Sequence, residues 1–179
     1  MLIKKYTSEC VKNFTEIKRE IEGGLYGIEH RIEHIGSTSV PQLDSIDIID
    51  IDIIYDSDAE FGKIKAGLIK IGYYHNGNQG IEQREVFKQT RQLTNRVLDS
   101  IKHHLYVCPR ESKALERHIL SRNFLRTNDW ARLKYQEIKY DLAEEANQDK
   151  KCYAYLKELH LTDFMDAIIE KEKRTHNTM

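Results

Sequence analysis

The fold is decided by the stretch Ile35-Gly36-Ser37-Thr38-Ser39, followed about a dozen residues after Ser37 by Asp50-Ile51-Asp52-Ile53. A Gly-Ser turn that leaves an apolar strand offers unhindered backbone N–H groups and hydroxyls to a phosphate. Alternate side chains of a strand share a face, so Asp50 and Asp52 are expected to point the same way, roughly 6–7 Å apart. This pattern predicts a site where one or two Mg²⁺ ions bridge substrate phosphates during in-line displacement at phosphorus.

The wider stretch His34-Ile35-Gly36-Ser37-Thr38-Ser39-Val40-Pro41, with Ile48-Ile49-Asp50-Ile51 after it, resembles the GrpB (UPF0157) family. That family is similar to nucleotidyltransferases related to DNA polymerase β. Their signature is an apolar residue, Gly, Ser and, after a gap of about a dozen residues, acid-apolar-acid. The resemblance covers roughly residues 25–170. It implies an α+β fold, in which a nucleotidyltransferase-like mixed β-sheet is flanked by helices and followed by a helical C-terminal region.

Length and charge narrow the possible functions. The chain has 179 residues, enough for one domain over residues 1–179 with a core of its own. Its 28 Lys and Arg residues balance 29 Asp and Glu residues, which disfavours general binding to long nucleic acid or to an anionic membrane. The three cysteines lack CxxC spacing, and no segment has the ~18 apolar residues of a membrane span. These features predict a cytoplasmic protein.

Periodicity divides the chain into a sheet-containing core, about residues 1–108, and a helical part, about residues 109–179. The predicted strands are Ile28–Ile35, Ile46–Tyr55, Glu85–Phe87 and His104–Val107. The isoleucine-rich strand that ends at Tyr55 is expected to be buried on both faces. Helices are expected after Ser8 and Ser57, the latter with a capping box completed by Glu60. Residues 89–99 are predicted to be a polar connection.

Asp50 and Asp52 are the predicted catalytic acids and metal ligands. Two carboxylates on one face of an apolar strand are costly to bury unless a cation pairs with them, although they are also compatible with a solvent-facing strand. The resemblance implies Mg²⁺, with Mn²⁺ as the alternative ion. It also implies a third carboxylate, for which Glu85 on the next candidate strand is the candidate. The alternative for Glu85 is a surface glutamate with a salt-bridge partner.

Phosphate contacts are predicted at the turn and on the helices. Gly36, Ser37 and Ser39 are predicted to bind the phosphates, although such turns are also common as structural caps. The run Arg122-Asn123-Phe124-Leu125-Arg126 resembles the family's Phe-Arg-Asp-Tyr-Leu-Arg motif, and Tyr135 with Lys139 and Tyr153 with Lys157 match two Tyr-x-x-x-Lys repeats. The resemblance therefore implies phosphate contacts for Arg122, Arg126 and Lys139. The alternative is an ordinary solvated helix face.

Two histidines are further candidates for the site, and two positions near it differ from the family pattern. His34 and His104 are predicted to lie in or beside the pocket, either orienting an acid or, as an alternative, ligating a transition metal. Ile46-Asp47 stands where the family usually has Lys-Pro, and His104-Leu105-Tyr106 stands where it tends to have His-x-His. One cation and one histidine of the family pattern are therefore absent from these positions.

The preferred hypothesis is a Mg²⁺-dependent nucleotidyltransferase-like enzyme that uses a nucleoside triphosphate and a small-molecule or protein acceptor. The first alternative is a catalytically silent nucleotide- or phosphometabolite-binding protein, linked to coenzyme A metabolism because some relatives are fused to dephospho-coenzyme A kinase. The second is a metal-dependent phosphohydrolase. The apolar residues within Tyr153–Glu172 can pack on the domain or on a second subunit, so an oligomer remains an alternative.

Overall fold

The computed structural model describes residues 1–90 and 92–177. The strands are β1 (Arg31–Ile35), β2 (Ile49–Tyr55), β3 (Tyr73–His75), β4 (Glu85–Gln89) and β5 (His103–Pro109). The helices are α1 (Glu9–Gly24), α2 (Asp58–Lys70), α3 (Arg96–Ser100), α4 (Lys113–Thr127), α5 (Asp129–Glu145) and α6 (Lys150–Asn177). A short 3₁₀ turn, Ser37–Ser39, follows β1.

The strands form one mixed sheet in the order β1-β2-β5-β4-β3. Strand β2 pairs antiparallel with β1 and parallel with β5, and β4 pairs antiparallel with β5 and β3. A mixed sheet flanked by helices and followed by a helical C-terminal region confirms the predicted α+β class.

The sheet register assigns each side chain of β2 to one of two faces. Ile51 pairs with His34 on β1 and with Leu105 on β5, and this face packs against α1 and α2 in the main hydrophobic core. The opposite face carries Asp50 and Asp52 and is covered by α4. Because β2 has neighbours on both edges and helices over both faces, its isoleucines are buried as the sequence predicts.

Some element boundaries differ from those predicted. Strand β2 begins at Ile49 rather than Ile46, because the preceding residues form a loop in which Ser45 bridges to Lys4. Within the predicted polar connection, Arg96–Ser100 forms a short helix whose first amides donate to the Asn95 side chain. The capping box of α2, with Ser57 and Glu60, forms as predicted.

The last three helices share a second core with the loop between β1 and β2. Val40 and Leu43 of that loop pack with the apolar faces of α4, α5 and α6. This packing fixes the Gly-Ser turn against the helices that carry the predicted basic residues. Within residues 1–90 and 92–177, no helix is both long and apolar enough to cross a membrane.

Candidate active site

A cavity of about 800 Å³ opens between the acid-bearing face of the sheet and helices α4 to α6. Of the residues predicted for the site, those that line it are Gly36, Ser37, Asp50, His104, Arg122 and Lys139. Further basic side chains reach it from a loop and two helices, namely Arg84, Lys113, Arg117, Lys150 and Lys157. The cavity is thus rich in cationic groups and suits a ligand with several negative charges.

Gly36 brings the backbone of the turn directly against Asp50. Its backbone angles, φ 70° and ψ −172°, lie in a region that only glycine adopts readily. A Cβ atom at this position would lie 2.3 Å from Asp50 Oδ2. The missing side chain therefore makes room for the carboxylate, which explains why glycine is required here.

Asp50 is held from its other side by His104 on the neighbouring strand. The two residues pair across β2 and β5, and His104 Nδ1 donates a hydrogen bond of 2.8 Å to Asp50 Oδ1. The His104 side chain is half exposed in the cavity wall. This contact fits the predicted role of orienting an acid, and it leaves the Nε2 edge of the ring available for other contacts.

Asp52 lies on the same face but is sealed from solvent. Its side chain is fully buried, and its Oδ2 accepts a hydrogen bond of 2.8 Å from His118 Nδ1 on α4. The Cys108 thiol lies 3.9 Å from the other carboxylate oxygen. Burial raises the pKa of Asp52 above its ordinary value, and the His118 hydrogen bond opposes this increase.

The hydroxyls of the turn have different partners. Ser39 is buried, and its Oγ donates a 2.6 Å hydrogen bond to the Gly36 carbonyl, which closes the turn. The Thr38 hydroxyl donates to the Ile48 carbonyl at 3.3 Å. Ser37 alone of the three is half-buried rather than buried, and it lines the cavity. Ser37 is therefore the hydroxyl placed to meet a ligand, whereas the Ser39 hydroxyl is engaged within the turn.

The two predicted arginines brace the turn from α4. Arg122 Nη1 donates to Glu33 Oε2 at 2.7 Å and to the His34 carbonyl at 2.9 Å, and its side chain reaches the cavity wall. Arg126 donates twice to the Ser39 carbonyl, at 2.9 and 2.7 Å, and does not line the cavity. The structure therefore brings Arg122 to the site and places Arg126 behind the turn.

Two lysines and a tyrosine form the helical wall of the cavity. Lys139 is 1% exposed, donates to the Asp44 carbonyl and lies 5.0 Å from the centre of the Tyr135 ring. Burial, together with the nearby charge of Lys157, lowers the pKa of Lys139 to about 7. The Tyr135 hydroxyl contacts Lys157 and raises its pKa. An anion that entered here would meet two ammonium groups with little competing solvent.

The register turns two predicted residues away from the cavity. Glu85 pairs with Val107, whose side chain belongs to the core face, and Glu85 itself bonds to His75. His34 pairs with Ile51 on that same face, where its ring stacks on Phe14 with a centroid separation of 4.6 Å. The structure therefore brings neither residue to the acids, because a one-residue difference in register reverses the face.

Burial of His34 predicts a loss of stability in acid. Burial lowers the pKa of His34 to about 4, so between pH 6.5 and 4 the unfolded chain binds a proton that the folded chain does not. The contribution of His34 to the unfolding free energy therefore falls by roughly 3 kcal/mol as pH drops through this window. We expect His34→Gln to remove most of this dependence in urea titrations at pH 7 to 4. The exposed His160→Gln is the control, and equal pH profiles for wild type and His34→Gln would contradict the prediction.

The acid-bearing face offers the oxygen ligands that Mg²⁺ prefers, but these ligands are not arranged as a complete metal site. Asp50 and Asp52 are oxygen donors on one face, as Mg²⁺ prefers. Glu33 is the one further carboxylate that the register puts on this face of β1 or β5, and Arg122 engages it. Within residues 1–90 and 92–177 no group of three metal-ligating side chains is assembled. Of the two acids only Asp50 lines the cavity, so Asp50 and the phosphates of a substrate would be the accessible ligands, with the buried Asp52 behind them.

Several cavity residues are absent from the sequence-based site, and three of them show why. His118 lies one helical turn before Arg122, so the spacing of four that links Arg122 and Arg126 identifies it when extended backwards. Lys157 belongs to the second Tyr-x-x-x-Lys repeat, so the motif contains it, but only the structure shows that it lines the cavity. Arg84 sits just before β4 and has no local signal, because its position depends on the pairing of β4 with β5.

Comparison with known proteins gives a consistent set of relatives. The family model described as GrpB protein matches residues 1–171. Glutamate-rich protein GrpB of Alkalihalophilus pseudofirmus is 28% identical over 141 residues, covering 78% of this chain and 77% of that protein. UPF0157 protein YqkA of Bacillus subtilis is 30% identical over 141 residues, covering 78% of this chain and 39% of that protein. The chain therefore spans well under two thirds of YqkA.

Two solved structures extend the likeness to the fold. The crystal structure of conserved protein GrpB from Enterococcus faecalis has a TM-score of 0.77 at 23% identity and covers 97% of this chain and 98% of that one. The Cid1 poly(U) polymerase with bound MgGTP has a TM-score of 0.57 at 15% identity, covering 79% of this chain and 44% of that one. At these identities the likeness shows a nucleotidyltransferase-like fold.

Proposed function

The chain belongs to the GrpB family and has a nucleotidyltransferase-like fold, and on this basis we propose that it binds a nucleoside triphosphate and transfers its nucleotidyl group to a small-molecule or protein acceptor. One observation carries the proposal. The Gly-Ser turn, Asp50 and the buried Lys139 converge on one cavity, although they come from distant parts of the chain. Structures of Cid1 with MgGTP and MgATP, which share the fold, support a triphosphate as the ligand.

The chain's own residues have distinct tasks in this proposal. Ser37 would bind the terminal phosphates through its backbone N–H and its hydroxyl, while Lys139 and Lys157 would neutralise charge on the leaving pyrophosphate. Arg122 would contribute charge while holding α4 against β1. Mg²⁺, or Mn²⁺ in its place, would neutralise the phosphates beside Asp50 and Asp52. Catalysis would then be mainly electrostatic.

Thermal denaturation tests this function directly. A triphosphate present at 100 times its Kd stabilises the folded protein by about 2.7 kcal/mol, equivalent to a Tm increase of roughly 5–10 °C for a chain of this size. We expect such an increase with at least one nucleoside triphosphate in the presence of Mg²⁺, and we expect Asp50→Asn to lose most of it. Asp56→Asn, whose carboxylate pairs with Arg110 on the surface, is the matched control.

Nucleotide turnover then separates an enzyme from a binding protein. Release of pyrophosphate during a screen of acceptors, abolished in Asp50→Asn, supports nucleotidyl transfer. A Mg²⁺-dependent Tm increase that Asp50→Asn retains would place the ligand elsewhere and refute the proposed site. The absence of an increase with every nucleoside triphosphate would rule out triphosphate as the ligand.

The geometry also favours one alternative, a catalytically silent nucleotide- or phosphometabolite-binding protein. His118 and Cys108 already engage both oxygens of the buried Asp52. The position on β5 directly across from Asp50 carries His104 rather than a carboxylate. Under this alternative the cationic cavity binds without turnover, and a coenzyme A precursor is a reasonable first phosphometabolite to titrate. Tight binding with no product from any acceptor would support it.

A further inference from the structure

Asp50 separates two sides of the cavity. Its Oδ2 faces Gly36, which follows β1, whereas its Oδ1 accepts the hydrogen bond from His104 on β5. Because β2 lies between β1 and β5, the Gly-Ser turn is on one side of the carboxylate and strands β5 and β4 are on the other. Neighbouring strands are about 4.8 Å apart, so groups on β4 lie roughly 10 Å across the sheet from β2.

The side of the turn holds the groups assigned to the triphosphate. Lys139 donates to the Asp44 carbonyl in the loop that links β1 and β2. Arg122 donates to the His34 carbonyl at the end of β1. These cations are therefore anchored on the same side as Ser37, where the leaving pyrophosphate would be held.

On the opposite side lies an arginine that the proposed function does not use. Arg84 immediately precedes β4 and lines the cavity, with its guanidinium carbon 4.8 Å from the centre of the Tyr106 ring. Its buried Nε has no hydrogen-bond partner among residues 1–90 and 92–177. Tyr106 itself pairs with Asp52 across β2 and β5. The Arg84 guanidinium therefore lies over the Tyr106 ring beside the two acids, and its Nε–H is a hydrogen-bond donor without a partner in the described part of the chain.

In-line displacement gives these two sides different roles. The attacking and leaving oxygens lie on opposite sides of the reacting phosphorus. If pyrophosphate leaves on the side of the turn, the acceptor approaches from the side of β5 and β4. A guanidinium offers planar, paired donors that match a phosphate or carboxylate group. An acceptor with such a group would be oriented by Arg84 with its hydroxyl toward Asp50.

We propose that Arg84 forms an acceptor subsite and that the acceptor is a small hydroxyl compound carrying a phosphate or carboxylate group. This inference rests on the proposed nucleotidyl transfer. In the step, the acceptor hydroxyl oxygen forms a bond to the α-phosphorus as the bond from that phosphorus to the bridging oxygen breaks. Pyrophosphate leaves with the bonding electron pair, and the hydroxyl proton passes to water.

Calorimetric titration of glycerol 3-phosphate tests the subsite, with neutral glycerol as the comparison compound. The protein is first saturated with Mg²⁺ and α,β-methylene ATP, which occupies the side of the turn without reacting. We expect glycerol 3-phosphate to bind and glycerol not to bind. Arg84→Gln should lower the affinity for glycerol 3-phosphate by about tenfold or more, because charged hydrogen bonds are lost. The affinity for the nucleotide should stay within about twofold of the wild-type value.

Two further variants make the result interpretable. Arg84→Lys keeps the charge but loses the planar donors, so we expect an intermediate loss, which also shows that the site remains folded. Arg110→Gln, on the surface beside Asp56, should change neither affinity. The inference is overturned if glycerol 3-phosphate does not bind the wild-type protein, or if Arg84→Gln lowers the affinity for the nucleotide as much as the affinity for glycerol 3-phosphate.

The same titrations separate this inference from the proposed function. If the nucleotide analogue does not bind the wild-type protein, the proposed function fails. Titration of glycerol 3-phosphate into nucleotide-free protein then decides the Arg84 subsite by itself. If Arg84→Gln loses binding of glycerol 3-phosphate, Arg84 forms an anion subsite even without the nucleotide. If binding is unchanged, the subsite is rejected.

Discussion

Gly36→Ala is expected to destabilise the protein by roughly 2–4 kcal/mol and to abolish measurable nucleotide binding. The backbone conformation of Gly36 costs a non-glycine residue about 1–3 kcal/mol. In addition, the new Cβ would lie 2.3 Å from Asp50 Oδ2 and 3.0 Å from Asp50 Cγ. Asp50 would therefore have to move, which breaks its hydrogen bond to His104 and shifts the turn that carries Ser37. Urea denaturation and nucleotide titration measure the two effects.

A second glycine separates backbone strain from the clash. Gly27 also has a positive φ, 76°, but no atom of residues 1–90 and 92–177 lies within 4 Å of the Cβ it would gain, and it does not line the cavity. Gly27→Ala should therefore report the backbone cost alone and leave nucleotide binding unchanged. Adding Asp50→Ala to Gly36→Ala should recover part of the lost stability, because it removes the atoms in conflict. If Gly36→Ala costs no more than Gly27→Ala, the close approach of Gly36 and Asp50 is not what fixes the turn.

The parts of the site that the sequence predicts are those encoded by local periodicity. Alternation along a strand correctly places Asp50 and Asp52 on one face, and a turn with glycine and serine correctly precedes their strand. The capping box of α2 and the apolar burial of β2 are local in the same way. In each case the spacing of neighbouring residues is sufficient, because no distant pairing is needed.

The remaining parts depend on pairings between distant segments. His104 meets Asp50 through the parallel alignment of β2 with β5, and no local spacing of residues reveals this alignment. Glu85 illustrates the consequence, since its pairing with Val107 places it on the core face, where a shift of one residue would bring it to the acid-bearing face. Arg84, one residue before Glu85, lies on the acid-bearing face. The sequence could therefore nominate a carboxylate on the right strand and still select the wrong face.

The fate of the serine hydroxyls follows from packing rather than from composition. Ser37 and Ser39 are equivalent as residue types, but Ser39 is buried and bonds to the Gly36 carbonyl, whereas Ser37 faces the cavity. Arg126 likewise donates to the backbone of the turn, although its helical spacing from Arg122 suggests an equivalent role. A motif therefore locates the site correctly, while three-dimensional packing decides which of its members face the ligand.

Lys139→Met is expected to remove a strong pH dependence of stability and to weaken triphosphate binding. The folded-state pKa of Lys139, lowered to about 7, lies below the ordinary value of 10.5, so between these values the unfolded chain holds a proton that the folded chain lacks. Unfolding free energy should therefore rise with pH in this window. Relative to Lys139→Met, the wild-type protein should gain about 3 kcal/mol between pH 7 and 9.5, as measured by urea denaturation.

The same substitution distinguishes a functional lysine from a structural one. Burying the Lys139 amino group costs stability, and methionine fills a similar volume without that cost, apart from the hydrogen bond lost by the Asp44 carbonyl. A bound phosphate would favour the protonated lysine, so Lys139→Met should weaken triphosphate affinity by roughly 10–100-fold. Lys134→Met, at an exposed position of the same helix, should change neither quantity. A variant with a flattened pH profile and full nucleotide affinity would show that Lys139 serves only to fix the loop at Asp44.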